Sequence, residues 1–230
     1  MDCRSYLGPY LLGPNDENQG IYTGDARELA KAIPDESVDL IFTDPVYQNI
    51  EDYRWLAETA ARVLKPDSAC LVWFDIPNFP LCFDALRTHL AFAEFLHWQR
   101  HGHLAPGRTG ITVISPCLWM EKGHSKTYKK MANWKSTTNA GPNARTHAWG
   151  KPDTLIAKWT DAFTQLGSTV LDFFSGSGVV PAVCKSLGRR WLAFEIDPDT
   201  AERARERVRN TQPPLFVMEP EQAVMDFQQG

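Results

Sequence analysis

The run Val170-Leu171-Asp172-Phe173-Phe174-Ser175-Gly176-Ser177-Gly178 constrains the fold more than any other part of this chain. An apolar strand, 170–174, passes into a glycine turn, and a segment with helical spacing follows at once, over about 179–187. Two glycines let the backbone turn sharply and approach a ligand closely, while the N-terminus of the following helix offers unpaired N–H groups. The next apolar run, 191–196, ends in Glu195-Ile196-Asp197. An acid at the tip of the neighbouring strand is placed to take the hydroxyls of a nucleotide ribose. Glycines alone would mark only a tight turn. The third glycine of the dinucleotide fingerprint is absent, because Val179 and Val180 follow Gly178. The pattern therefore favours a mononucleoside ligand over NAD.

The rest of the chain repeats the alternation. Val38–Thr43 and Ala69–Phe74 are short apolar runs suited to buried parallel strands. Helical spacing covers Ala26–Ile33, with Asp25 as N-cap and Pro34 as a stop, and Glu51–Leu64. A further helix and a strand fall within Pro77–Phe95, and helices are expected over Pro152–Leu166 and Pro198–Asn210. Strands alternating with helices predict an α/β fold, a mostly parallel sheet flanked by helices. The pattern weakens between His97 and Gly150, where ITVI (111–114) and CLWM (117–120) are isolated apolar runs. An irregular stretch that long is expected to be functional. The organisation that follows is 1–96 and 151–212 as two halves of one domain, 97–150 inserted between them, and a tail at 213–230; the first 19 residues read as an irregular arm.

Charge sharpens this division. From His97 to Lys151 there are nine Lys or Arg (100, 108, 122, 126, 129, 130, 135, 145, 151) against the single acid Glu121. That segment carries +8, so the net charge of −4 leaves −12 for everything else. A basic block in an acidic protein is either a solvated loop or a surface for a polyanion. Trp119, Tyr128, Trp134 and Trp149 interleave with the basic residues. Such a mixture suits nucleic acid, although Trp119 reads better as core beneath the loop. The five cysteines are scattered without metal-ligand spacing and read as reduced cytoplasmic thiols, and no metal site is expected. No apolar run approaches the roughly 20 residues of a membrane span.

The second chemical constellation is Asp44-Pro45-Val46-Tyr47, directly after the strand Val38–Thr43. Its carboxylate and prolyl carbonyl can accept hydrogen bonds from an NH₂ group, and Tyr47 can stack on a flat ring. Strand C-terminal ends are where open α/β sheets bind ligands. An ordinary Asp-Pro turn would account for the composition.

Taken in order, these motifs resemble the amino-group DNA methyltransferases of the permuted, beta-class arrangement. There the catalytic tetrapeptide (Asp or Ser, Pro, Pro, aromatic) precedes the cofactor glycine motif, and a target-recognition region lies between. The likeness runs from Gly24-Asp25-Ala26 and Ser37–Ile41 through Asp44–Tyr47 to Lys151-Pro152, Asp172–Gly178, Gly188-Arg189-Arg190 and Glu195-Ile196. Val46 departs from the second proline, and Val179-Val180 from the threonines often found after the glycine motif.

The resemblance implies a Rossmann-like, S-adenosylmethionine-dependent methyltransferase acting on double-stranded DNA, with the target base flipped out of the stack. Asp44 and the Pro45 carbonyl would bind the target amine, and Tyr47 would stack on the base. Asp172, Phe174, Ser175, Gly176 and Gly178 would line the methionine part of the cofactor. Glu195 would hold the ribose, Asp25 would sit near the adenine, and Lys151 near the methionine carboxylate. Asp197 reads as a helix cap. Arg100, Arg108, Lys126, Lys129, Lys130, Lys135 and Arg145 would contact DNA. Asp at position 44 favours N6 of adenine over N4 of cytosine. A nucleotide-binding oxidoreductase and a degenerate DNA-binding module without activity are the rival readings. Such an enzyme acts as a monomer or homodimer, alone or beside a restriction nuclease.

Overall fold

Strands buried on both faces need an apolar residue at nearly every position, and the centre of this sheet is built that way. In the computed structural model, residues 20–101, 105–107, 110–112, 114–138 and 150–214 are described, with side chains for 20–99, 114–133 and 150–214. The strands are β1 (Ile21–Thr23), β2 (Val38–Thr43), β3 (Leu64–Trp73), β4 (Ala91–His101), β5 (Ala105–Gly107), β6 (Gly110–Thr112), β7 (Ile114–Lys122), β8 (Trp134–Thr138), β9 (Thr169–Asp172) and β10 (Arg190–Glu195). The α-helices are α1 (Ala26–Leu29), α2 (Ile50–Val63), α3 (Phe79–Leu86), α4 (Asp153–Phe163), α5 (Val179–Ser186) and α6 (Pro198–Asn210).

Eight strands form one sheet in the order β1-β10-β9-β2-β3-β7-β4-β8, and β5 and β6 make a separate hairpin. Pairing is parallel from β1 to β3 and antiparallel on both sides of β7, and β8 is parallel to β4. Alternate side chains supply two cores. Ile41, Cys70, Val72, Leu192 and Phe194 face α1, α2 and α3, whereas Leu40, Phe42, Leu71, Trp73 and Ala193 face α4, α5 and α6. The expected α/β architecture, mostly parallel and flanked by helices, is present.

Chain direction places the ligand edge. From β2 the chain passes through α2 to β3, on one side; from β9 it passes through α5 to β10, on the other. The neighbours β2 and β9 thus bound a topological switch point, where the two connections diverge and a crevice opens beyond the strands' carboxyl ends.

The stretch 97–150 is not irregular throughout, as the weak sequence pattern suggested. The strand β7 lies inside the sheet between β3 and β4, with Cys117, Leu118 and Met120 fully buried. Ser115 and Pro116 interrupt its apolar pattern, so CLWM (117–120) looks isolated although the strand extends from Ile114 to Lys122; Ile111 and Thr112 of the other run belong to β6. The strand expected at 69–74 starts earlier, at Leu64, and its register against β2 shifts between Val38 and Leu40. Among the described residues, no helix is long and apolar enough to cross a membrane.

Candidate active site

Both motifs singled out by sequence arrive at the switch point, on adjacent strands. The strand β2 ends at Thr43 and delivers Asp44; β9 ends at Asp172 and delivers the glycine turn. Thr43 joins them. Its hydroxyl donates to Asp172 Oδ1 at 2.8 Å and accepts from the Phe173 N–H at 3.1 Å. The Phe174 N–H also reaches Asp172 Oδ1, at 3.1 Å. Burial pushes the Asp172 carboxyl from 3.8 up to about 7, although these hydrogen bonds pull it down; the charges of Asp44 and Glu195 add to the rise. Sequence reasoning missed Thr43, which differs from any strand-end threonine only in its partner across the sheet.

A cleft of about 230 Å³ opens here, lined among others by Asp44, Trp73, Lys151, Asp172, Phe174 and the 175–177 turn. At Gly176 (φ +50°) a Cβ would meet nothing within 4 Å, so this position faces open space. Gly178 differs. Its Cβ would lie 2.8 Å from Ala204 Cβ and 3.0 Å from Ala204 Cα, at φ +73°. This residue, expected to line the cofactor, lets α6 pack against the start of α5 and is not among the cleft's lining residues. The Ser175 Oγ lies buried in the cleft wall with no hydrogen-bond partner.

Glu195 stands at the tip of β10, where Oε2 accepts from the Gly176 N–H at 2.8 Å and Oε1 from the Asp197 N–H at 3.0 Å. The acid therefore shapes the glycine turn while its remaining lone pairs stay available. Asp25 caps α1 by accepting from the Arg27 N–H at 2.8 Å. The Gly24 N–H bonds the Glu195 carbonyl at 2.9 Å, which brings Asp25 to the same sheet edge but outside the cleft lining. Asp197 caps α6 through the Thr200 N–H at 2.7 Å, as its position suggested.

Lys151, expected near the methionine carboxylate of the cofactor, lines the same cleft as the glycine turn. Only 8% of its side chain is exposed; Nζ donates to Asp44 Oδ2 at 2.5 Å and to the Tyr47 hydroxyl at 3.2 Å. The ammonium also lies 4.6 Å from the centroid of Trp73. Asp44 Oδ1 is buried without a hydrogen-bond partner. Tyr47 is half-buried, and burial first, then the Asp44 charge, hold its phenol well above the ordinary range. It remains a neutral hydroxyl that can accept from Lys151.

The basic stretch divides into two groups. Trp73, at the cleft, pairs with Cys117, and Ser68, near the other end of β3, pairs with Lys122. The chain after β7 therefore starts at the sheet edge opposite the cleft. There Lys126 lies 4.0 Å from Asp67, and Lys129 pairs with Asp161 at 2.5 Å. Six residues of strand, roughly 20 Å, separate Asp67 from Trp73. Lys130 is exposed in the same connection. Trp119 packs edge-on against Phe163 and donates to Ser125, the core role expected of it. By contrast, β4 runs past the level of Trp73, and its last five residues pair with β8. Arg100 and Lys135 lie on these two strands at the cleft edge, whereas Arg108 and Arg145 fall outside the described residues.

Two catalytic-type motifs meeting across a switch point describe a site; sequence comparison supplies its family. The family model described as DNA methylase, of the N6/N4 type, matches residues 38–206, well over half of the chain. The chain belongs to the N6/N4 DNA methylase family. The match begins at β2, ends within α6 and includes both motifs. Membership removes the oxidoreductase reading. Among curated relatives, the Type II methyltransferase M.BamHI of Bacillus amyloliquefaciens is 26% identical over 83% of this chain. The chain spans 57% of that protein's length. Among solved structures, the M1.HpyAVI–SAM complex superposes with TM-score 0.71 at 23% identity, over 82% of this chain and 98% of that one. PvuII DNA methyltransferase, described as cytosine-N4-specific, gives 0.72 at 20% identity, over 90% and 89%.

The methyl donor that membership of this family implies is S-adenosylmethionine, and the residues present fit it. An orphaned buried hydroxyl at Ser175, a glycine at 176 whose missing side chain leaves open space, and a strand-tip carboxylate at Glu195 make a cradle for a polar nucleoside. Phe174, Val179 and Val180 supply the apolar side of the same cleft.

Proposed function

We propose that this methylase transfers a methyl group to the exocyclic N6 amine of adenine in double-stranded DNA. The observation that carries the reading is Asp44, delivered by β2 to the cleft with Oδ1 buried and unpartnered. An amine N–H is the donor such an oxygen lacks. Bound S-adenosylmethionine supplies an electrophilic methyl group on its sulfonium. Adenine's amine is a poor nucleophile because its lone pair is delocalised into the ring. Hydrogen bonds accepted by Asp44 and the Pro45 carbonyl favour a more tetrahedral nitrogen and hold it in line. The Tyr47 ring, packed against the core on one side, offers its other side to a flipped base.

The carboxylate at position 44, where the family also uses serine, supports adenine over cytosine. Phe174, Gly176 and Glu195 are the proposed cofactor contacts, and Ser175 joins them through its orphaned hydroxyl. The DNA-reading element is assigned to 97–112 and 134–149, carrying Arg100, Arg108, Lys135 and Arg145. The ion pairs of Lys126 and Lys129 on the far edge argue against those two as primary contacts. Relatives named as Type II methyltransferases support a restriction–modification setting.

The test is mass spectrometry of digested DNA after incubation with enzyme and S-adenosylmethionine. N6-methyladenine is expected, and Asp44→Ala should cut turnover by at least about a hundredfold while cofactor affinity stays within a few fold. N4-methylcytosine as the sole product would overturn the base assignment. Full activity in Asp44→Ala would overturn the site.

A further inference from the structure

The ammonium of Lys151 is held on three sides. Asp44 Oδ2 and the Tyr47 hydroxyl accept from it, and the Trp73 ring lies beneath it at 4.6 Å. Trp73 is itself fixed, stacked on Phe42 and packed against Trp159, while Tyr53 donates to its carbonyl at 2.9 Å. On the other side, Pro152 restricts the backbone next to Lys151, and its carbonyl accepts the first N–H bonds of α4 from Leu155 and Ile156. Lys151 thus projects from a rigid helix start onto a rigid aromatic floor. A surface lysine at a helix start would do neither.

The consequence falls on Asp44. A carboxylate turns readily about its terminal bond and presents two equivalent oxygens. Here one oxygen is occupied by a charge-assisted hydrogen bond from a buried lysine, and the other is buried with no partner. We propose that Lys151 is a positioning residue for Asp44: it ties down Oδ2, leaving Oδ1 as the single acceptor presented to the target amine, and fixes the Tyr47 ring beside it. This rests on the reading that Asp44 binds that amine. It departs from the assignment of Lys151 to the methionine carboxylate of the cofactor. In the structure the ammonium's nearest anion is the Asp44 carboxylate. Fixing one acceptor in place is the kind of preorganisation that acts on turnover rather than on binding.

The two roles separate experimentally, with purified full-length enzyme in Lys151→Met and Lys151→Gln forms. Both keep most of the length of the side chain and remove its charge; the glutamine serves if the methionine variant melts below assay temperature. Calorimetric titration with S-adenosylmethionine and steady-state kinetics on duplex DNA are the readouts. A positioning role predicts kcat lower by about ten- to a hundredfold at saturating cofactor, with cofactor Kd and DNA KM within about threefold. Lys151→Arg, which keeps a cation over Trp73, should recover part of kcat. Loss of cofactor affinity beyond tenfold with kcat preserved at saturation would overturn the proposal in favour of the carboxylate contact. Wild-type kcat and Kd together would overturn it outright. Asp44→Ala, measured alongside, keeps the outcomes distinct: activity there refutes the underlying reading, whereas an inactive Asp44→Ala with an unimpaired Lys151→Met refutes only the role of the lysine.

Discussion

Replacing Asp172 by asparagine should stabilise the protein progressively, relative to wild type, as pH rises from about 4 to about 7. The carboxyl is buried and titrates near 7 in the folded chain, against 3.8 for the free group. Between those values the unfolded chain releases a proton that the folded chain keeps. Folding stability from this group is therefore complete below 3.8 and falls as pH rises, levelling off above about 7. At about 1.4 kcal/mol per tenfold change, the full difference is about 4 kcal/mol. The asparagine side chain would retain the one oxygen that accepts from Thr43 and the Phe174 N–H, so the cross-sheet link survives. Its new NH₂ group needs an acceptor, and a missing one costs about 1–3 kcal/mol at every pH. The pH-dependent part is thus the cleaner quantity. Urea unfolding of both proteins at steps from pH 4 to pH 8 should show the variant gaining about 2–4 kcal/mol relative to wild type. A difference that stays constant with pH, or that grows in favour of wild type, would refute the reasoning.

Three further outcomes follow from the same geometry. Gly178→Ala should lower stability by about 2–4 kcal/mol in thermal or urea unfolding, because its Cβ meets Ala204 at 2.8 Å and its φ is +73°. Gly176→Val should cost less stability, about 1–2 kcal/mol for the positive φ, yet reduce cofactor affinity at least about tenfold by calorimetry, since its side chain would enter the open cleft. Paired charge reversal at Arg100 and Lys135 should weaken duplex DNA binding and flatten its salt dependence. The same change at Lys126 and Lys129, already paired with Asp67 and Asp161, should do so far less in a fluorescence titration.

Local chemistry alone fixed a good deal of this protein. The apolar run Val38–Thr43 is a strand wherever it is buried, and Asp197 caps a helix because Thr200 follows three residues later. The turn after Asp172 was legible for the same reason, because the Phe174 N–H that Asp172 accepts is two residues away; Glu195 was legible from its place at the end of the next apolar run, although its contact with Gly176 spans nineteen residues. Tertiary structure decided what distant residues do to one another. That Asp44 and Asp172 share a site depends on β2 lying beside β9, a pairing set by sheet order and invisible to periodicity. The need for glycine at 178 comes from Ala204, which α6 brings against it from twenty-six residues away. Charge counting treated the basic stretch as one surface, but β7 turns it back through the sheet and sends Lys126 and Lys129 to the far edge. Lys151 is the sharpest case. Its sequence neighbours mark only a helix start, whereas its contacts are with Trp73, Tyr47 and Asp44, all more than seventy residues away. Burial, not sequence spacing, turned that lysine from a solvated cation into the partner of a carboxylate, because a charge taken out of water must find its counter-charge within the fold.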